Sequence, residues 1–172
     1  DFYGSIGEIY KDNVDIIMCE SMSSIFEGSN ASTVAKEFSE RVWLSWTNRG
    51  HQPDQLPSTE TLSNAVDFSI QADVECTLIN CSHVDMASNS IKELKRASKF
   101  GIFANSSRFK EVDLSIATKD VDAIHHLNSE TISAKEYALN ALDWAKEGAF
   151  VVGGCCGTTV EHTREIKLLL DS

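Results

Sequence analysis

Three cysteines of this chain have the type and spacing that suit a metal site. Cys155 and Cys156 are adjacent in a glycine-rich segment near the C-terminus, and Cys81 follows Asn80 much earlier in the chain. Each cysteine lies just past a short apolar run that is typical of a buried strand. Two adjacent thiolates and a third from another strand end can bind one zinc ion, and three protein ligands leave the fourth tetrahedral position open for chemistry. The sequence therefore predicts Zn²⁺ that activates a thiol or a water molecule.

The glycines around the cysteine pair leave other interpretations open. Gly153, Gly154 and Gly157 allow the sharp bend that two neighbouring ligands need. A glycine turn before a capped helix also suits a phosphate group, and buried cysteines are common as inert packing residues. A disulfide between Cys155 and Cys156 would close a strained small ring, which disfavours it. We keep zinc binding as the expectation, with Gly153 and Gly154 as supporting residues.

Polar residues at other strand ends are candidates for binding a substrate. Glu20 can hold a cationic group such as an ammonium or act as a base, and its alternative role is that of a capping or salt-bridging acid. Asn105 and Ser106 can hydrogen-bond a carboxylate, or else begin a turn. Asn80 is expected to orient Cys81 without itself binding the metal.

The remaining cysteines and the histidines add little to the predicted site. Cys19 and Cys76 lie within apolar runs and are predicted to be core residues. His83 is the best candidate for a fourth ligand if the zinc were structural, and a ligand role is open for His125 and His126. A zinc hydrolase is disfavoured, because the histidine and carboxylate ligands usual in such enzymes are not in evidence.

The composition is that of a globular protein with an acidic surface. The 172 residues are 42% hydrophobic and 24% charged, with a net charge of −11. Such a charge disfavours nucleic acid and anionic membranes as partners, and the apolar runs are far shorter than the ~20 residues that cross a bilayer. An odd number of cysteines without a signal peptide indicates a reducing compartment, so we expect a cytoplasmic protein.

Short apolar runs alternate with amphipathic stretches along the chain. The runs predict five strands, at 14–19, 42–46, 76–79, 100–104 and 150–152. Helical spacing of apolar residues predicts helices over 31–38, 62–70, 90–97, 133–147 and 158–170. The predicted capping boxes are Ser90 with Glu93, Ser133 with Glu136, and Thr158 with Glu161. Residues 105–131 are expected to be irregular, and His162 in the last helix is expected to be solvated.

This alternation predicts an α/β fold of the (β/α)8 TIM-barrel type. Strands buried on both faces and separated by helices form a parallel sheet, and the polar candidates all follow strands, where barrel enzymes keep their active sites. A closed barrel has eight strands and this chain offers five, so we expect a partial barrel over residues 1–172. Either N-terminal strands are absent, or a second copy covers the open edges in a homo-oligomer.

Four sequence blocks resemble the homocysteine S-methyltransferase family. They are the Gly-Gly-Cys-Cys-Gly-Thr-Thr block at 153–159, Asn80-Cys81, the early block at 15–21, and Asn105-Ser106. Their order and approximate spacing agree along nearly the whole chain. The resemblance implies a zinc-binding (β/α)8 barrel, of which this chain covers strands four to eight and the family's N-terminal part is absent.

The resemblance also implies roles for individual residues. Cys81, Cys155 and Cys156 would be the zinc ligands, Glu20 would hold the amino group of homocysteine, and the block at 105–106 would line the pocket. The implied activity is transfer of a methyl group from a small cationic donor to the zinc-activated thiol of homocysteine, giving methionine. The alternative is an incomplete, catalytically inactive barrel fragment that binds zinc or homocysteine and self-associates.

Overall fold

The computed structural model describes residues 2–50, 52–109 and 129–172. Strands and helices alternate along this part of the chain, in the order α1 (Phe2–Tyr10), β1 (Ile17–Met22), α2 (Ile25–Phe38), β2 (Val42–Trp46), α3 (Leu62–Gln71), β3 (Cys76–His83), α4 (Val84–Asn89), α5 (Ile91–Leu94), β4 (Phe100–Asn105), β5 (Ser107–Phe109), β6 (Ser129–Thr131), α6 (Ala134–Lys146), β7 (Val151–Gly154) and α7 (Val160–Leu170). None of the described helices is long and apolar enough to span a membrane.

Five of the strands form one parallel sheet. Their order is β1-β2-β3-β4-β7, and every neighbouring pair is parallel. Helices pack against this sheet between the strands, which confirms the α/β fold of the barrel type. Because a closed barrel of this type has eight strands, the five described strands make up part of one, with all their carboxyl ends at the same edge.

The core lies between the sheet and its helices. Trp46 at the end of β2 is fully buried and donates from its indole nitrogen to Ser69 Oγ of α3 at 2.9 Å. On the other side, a Cβ added at Gly28 of α2 would lie 2.5 Å from the Trp46 ring, so only glycine allows this helix to approach so closely. One indole thus fixes two helices against β2.

The amino ends of the strands are joined by an ion-pair network around Glu75. Its carboxylate accepts hydrogen bonds from Arg41 Nε at 2.8 Å, Lys99 Nζ at 3.0 Å and Trp43 Nε1 at 3.2 Å. Trp43 lies in β2. Arg41, Glu75 and Lys99 directly precede β2, β3 and β4, respectively. The hydrogen bond from Arg41, followed by that from Lys99, lowers the pKa of Glu75 to about 2. The network therefore stabilises the edge of the sheet opposite to the cysteines.

Two predicted capping boxes are wrong. The last helix is capped by Thr159 with His162 closing the capping box, one residue later than the predicted pair of Thr158 and Glu161. His162 is 9% exposed instead of solvated, because Thr159 N–H donates to its Nδ1 at 3.1 Å and its ring packs on Tyr137 with centroids 5.6 Å apart. The buried histidine thus belongs to the helix cap.

Ser90 does not form the predicted capping box with Glu93. It follows α4, makes no side-chain cap to α5, and donates its hydroxyl to the carbonyl of Met86 at 2.9 Å. Helix α5, which follows it, is a single turn of four residues. The predicted box of Ser133 is confirmed on the side of its hydroxyl, which accepts from Glu136 N–H at 3.3 Å.

The stretch predicted to be irregular contains a small antiparallel pair. Strands β5 and β6 pair with Ser107 opposite Thr131, which the sequence did not indicate. The residues between them, including His125 and His126, lie outside the described residues.

Candidate metal centre and cleft

The three cysteines predicted to bind metal converge at the carboxyl edge of the sheet. Cys81 Sγ lies 3.6 Å from Cys156 Sγ, and Cys155 Sγ lies 4.0 Å from Cys156 Sγ. All three sulfurs lie within 4.8 Å of one another. Sulfurs bound to one tetrahedral zinc at about 2.3 Å are separated by about 3.8 Å. The thiol cluster therefore has the dimensions of a three-cysteine zinc site.

The protonation of these thiols depends on their surroundings. Burial, followed by the charge of the neighbouring Cys155, raises the pKa of Cys81 to about 12. Burial also raises the pKa of Cys155. A thiol with a raised pKa stays neutral at pH 7, whereas a bound cation favours the thiolate. The cluster is thus chemically suited to a metal ion and costly to ionise without one.

A backbone bulge in β3 places Cys81. Its φ angle is 52°, in the left-handed region that non-glycine residues seldom adopt. The register of β3 against β4 shifts between Asn80 and His83. A bulge re-aims the side chain that it carries, and this one brings the Cys81 thiol to the cysteine pair.

The turn that carries the cysteine pair is held by the end of β4. Cys155 N–H donates to the carbonyl of Ala104 at 2.8 Å, and Cys156 N–H donates to Asn105 Oδ1 at 3.1 Å. Ser106 N–H donates to the carbonyl of Cys156 at 2.9 Å. Three successive residues of one strand end therefore fix both thiols.

Glycines around the pair are required by space and by backbone shape. A Cβ at Gly153 would lie 2.8 Å from the Phe103 ring, and one at Gly154 would lie 2.5 Å from Thr158 Oγ1. Gly157 has a φ of 77°, which allows the chain to turn out of the strand. Gly153 and Gly154 are thus needed for space and Gly157 for the turn, and the role of Gly153 and Gly154 as supporting residues of a zinc site stays a prediction.

The side chain of Asn80 connects the site to β1. It is fully buried, and its Oδ1 accepts from Ser45 Oγ at 2.6 Å and from Ser21 N–H at 3.1 Å. Its Nδ2 donates to Ser21 Oγ at 2.6 Å and to Glu20 Oε1 at 3.2 Å. The amide of Asn80 thus positions Glu20 and Ser21, which form a bulge in β1 where its register against β2 shifts between Cys19 and Met22. The backbone of Asn80 leads directly into Cys81.

A cleft opens beside the thiols. It has a volume of about 700 Å³ and is lined by Thr47, Asn48, Gly50, Pro57, Cys81, Ser82, His83, Asn105, Ser106, Ser107, Thr131, Cys156 and Gly157. Of the predicted site residues, Cys81, Cys156, Asn105 and Ser106 line the cleft, whereas Glu20 and Cys155 are not among these lining residues. No acidic side chain and no Phe, Tyr or Trp belongs to this described lining.

His83 does not join the thiol cluster among the described residues. It is 8% exposed, and its Nδ1 is paired with Ser107 Oγ at 2.7 Å. Sequence reasoning missed Ser107 and Thr47 as cleft residues. The position of Thr47 in the sequence could have indicated it. It directly follows β2, and the other predicted site residues likewise lie at or just after the ends of strands.

Comparison with known proteins identifies the family to which this chain is similar. A family model described as homocysteine S-methyltransferase matches residues 2–170. A curated relative, the homocysteine S-methyltransferase YbgG of Bacillus subtilis (strain 168), is 25% identical over 155 residues, which are 88% of this chain and 45% of the relative.

Solved structures agree with the fold. The homocysteine methyltransferase MmuM of Escherichia coli in its apo form matches with a TM-score of 0.66 at 16% identity, over 97% of this chain and 56% of that chain. Its metallated form matches with a TM-score of 0.65 at 19% identity, over 91% of this chain and 46% of that chain. The chain thus spans about half the length of the relatives that it matches.

Proposed function

Since the chain belongs to the homocysteine S-methyltransferase family, we propose that it transfers a methyl group from a cationic donor to the thiol of homocysteine, giving methionine. The observation that carries this proposal is the cluster of three thiols, whose sulfurs lie 3.6 and 4.0 Å apart beside an open cleft. Three protein thiols leave one zinc position for the thiol of a substrate.

The cofactor that we propose is Zn²⁺, held by Cys81, Cys155 and Cys156. When bound there, zinc would supply a lowered pKa for the substrate thiol, which is otherwise near 8.5. The chain's own residues hold and orient the reactants. We propose that the Glu20 carboxylate, to which Asn80 Nδ2 donates at 3.2 Å, accepts the ammonium group of homocysteine.

The proposed reaction balances without a further co-reactant. The homocysteine thiol gives its proton to solvent, and its sulfur attacks the methyl carbon of a sulfonium or a quaternary ammonium, in line with the bond that breaks. The new S–CH₃ bond forms as the CH₃–S⁺ or CH₃–N⁺ bond of the donor breaks, and the donor leaves as a neutral thioether or tertiary amine. We propose that this takes place in the cytoplasm, where the thiols stay reduced.

The alternative is an inactive fragment that binds zinc or homocysteine and self-associates. The observation in its favour is that the chain spans about half the length of its relatives. In addition, β1 and β7 stand at the two ends of the described row of strands. Strands with an open edge tend to pair with another chain.

Methyl transfer from isotope-labelled donors tests the proposal. Zinc-loaded protein is mixed with homocysteine and one labelled donor at a time, either a sulfonium or a quaternary ammonium. The labelled methionine that forms is then counted. Labelled methionine from either donor supports the enzyme. Homocysteine binding without turnover from any donor would favour the inactive fragment, and failure to bind homocysteine at all would overturn both homocysteine-based functions.

A further inference from the structure

The side-chain amide of Asn105 lies between the thiol turn and the cleft. Its oxygen and nitrogen can be told apart because Cys156 N–H, which can only donate, points at one of them at 3.1 Å. That atom must be the oxygen, since an NH₂ group offers no acceptor. The amide orientation is therefore set by the turn that carries the thiols.

The nitrogen of the same amide is available to a ligand. Asn105 lines the cleft, and its Nδ2 makes no hydrogen bond to any residue in 2–50, 52–109 or 129–172. Two N–H groups thus remain for a ligand. Because they are donors, the ligand group opposite to them must be an acceptor.

The neighbouring Ser106 adds a second donor. It is 2% exposed and lines the cleft, and its backbone N–H and C=O are already bonded to Cys156 and Ile132. Its hydroxyl has no hydrogen-bond partner within the described part of the chain. A Cβ at position 157 would lie 2.5 Å from this hydroxyl oxygen, so Gly157 provides the space beside it. The hydroxyl oxygen itself is reached by solvent from the cleft, so it is free to donate to a ligand bound there.

We propose that Asn105 has two roles, one for each polar atom of its side-chain amide. Oδ1 positions Cys156 for metal binding, and Nδ2 together with the Ser106 hydroxyl binds a carboxylate beside the metal. A carboxylate accepts hydrogen bonds through both oxygens, and the described lining of the cleft has no acidic side chain to repel it. The identity of the ligand rests on the proposed function, in which homocysteine or the methyl donor brings the carboxylate.

The positioning role is tested with zinc alone. Asn105→Asp keeps an oxygen acceptor for Cys156 N–H, whereas Asn105→Leu has a similar size without an acceptor. We expect zinc affinity, measured by competition with a chromophoric chelator, to fall about 10- to 100-fold in the Leu variant. In the Asp variant it should stay within about twofold of the parent chain, as in the exposed charge control Asn64→Asp. Equal zinc affinity of the Leu variant and the parent chain would overturn this role.

The carboxylate role is tested with matched ligands. Homocysteine and its decarboxylated analogue, 3-aminopropane-1-thiol, are titrated calorimetrically into zinc-loaded parent chain, Asn105→Asp and Ser106→Ala. The Asp variant opposes one carboxylate with another and should weaken homocysteine about tenfold or more. It should leave the analogue within about twofold. Ser106→Ala should weaken homocysteine by a smaller factor than Asn105→Asp and leave the analogue within about twofold.

The methyl donor forms the second arm. If Asn105→Asp raises KM only for carboxylate-bearing donors, and not for the same donors without the carboxylate, the carboxylate comes from the donor. Equal effects on ligands with and without a carboxylate, in both arms, would overturn the inference. If the parent chain binds neither thiol, the proposed function fails first. If it binds homocysteine, and the variants change neither homocysteine binding nor the KM of the carboxylate-bearing donors, only the carboxylate inference fails.

Discussion

At the scale of single residues, Cys81 is the thiol that joins two strands into one site. It lies on β3, and both of its partners follow β7. We expect Cys81→Ala to lose bound zinc and methyl transfer together, because two thiolates hold zinc far more weakly than three. Elemental analysis and the labelled-methyl assay check this.

The matched control for that prediction is Cys19→Ala, which removes a buried thiol from β1 outside the cluster. The control should keep its zinc. Full activity of Cys81→Ala, or equal zinc loss in both variants, would contradict the assignment of Cys81 as a ligand.

Asn80 is the residue whose loss should affect stability most among the polar site residues. Its amide makes four hydrogen bonds in a fully buried position. Asn80→Ala should lower the free energy of unfolding by about 2 to 4 kcal/mol, because the groups left behind are buried without partners. The urea midpoint measures this. A loss no larger than that of Asn64→Ala on the surface would show that the amide network contributes little.

The sequence indicated the residue types of the site but not their hydrogen bonds. Asn80 was expected to orient Cys81, yet its amide hydrogen bonds run to Glu20, Ser21 and Ser45 on two other strands. Such partners are dozens of positions away along the chain. No local spacing could have pointed to them, and the left-handed backbone of Cys81 carries no signal in a residue other than glycine.

At the scale of helices and strands, apolar runs predicted where β2, β3 and β4 begin, but they misplaced β1 and missed the last four residues of β3, which runs past the predicted 76–79 to His83. Strand β2 lies at the predicted residues, and β4 extends them by one. Strand β1 begins and ends three residues after the predicted run of 14–19, because it includes the polar residues Glu20 and Ser21. Their bulge serves the site and breaks the apolar pattern that sequence analysis follows.

Tyr137 links a helix to the two strands that hold the cysteine turn. Its buried hydroxyl lies 2.7 Å from the carbonyl of Gly153 and 2.8 Å from that of Ala104. Tyr137→Phe should lower the free energy of unfolding by about 1 to 2 kcal/mol, because a buried carbonyl loses its donor. Urea denaturation measures this, with the half-exposed Tyr10→Phe as control. Equal stability of both variants would contradict the predicted link.

The network around Glu75 should make stability depend on pH in acid. The folded state lowers the pKa of this carboxyl from 4.5 to about 2, chiefly through Arg41. The contribution of Glu75 is therefore fully present above about pH 4.5 and is lost as the pH falls towards 2. Thermal unfolding between pH 6 and 2 should show a steeper decline for the parent chain than for Glu75→Gln. Parallel curves would contradict the network.

At the scale of the whole molecule, the order of the five strands was predictable and their surroundings were not. The β-α alternation predicted a parallel sheet. A run of apolar residues does not, however, indicate which neighbouring element packs against the strand that it forms. Val160 is 75% exposed, Leu168 60% and Phe150 53%, all in or next to β7 and α7. This end of the sheet therefore presents apolar surface in the described structure.

We expect this surface to drive self-association of the chain. Sedimentation velocity across a concentration series should show dimers or larger species, because exposed apolar side chains and an open strand edge both favour pairing. The Leu168→Glu variant should shift the distribution towards monomer, whereas the same change at an exposed polar position, Thr163→Glu, should not. A monomeric parent chain at every concentration would exclude the homo-oligomer.

The central claim is that three cysteines hold one zinc ion with a position open to the thiol of homocysteine. X-ray absorption at the zinc edge, on reduced zinc-loaded protein with and without homocysteine, tests it most directly. We predict three sulfur ligands at about 2.3 Å with one lighter ligand, which homocysteine replaces to give four sulfurs. Fewer than three sulfurs, or a ligand set that homocysteine leaves unchanged, would contradict the account.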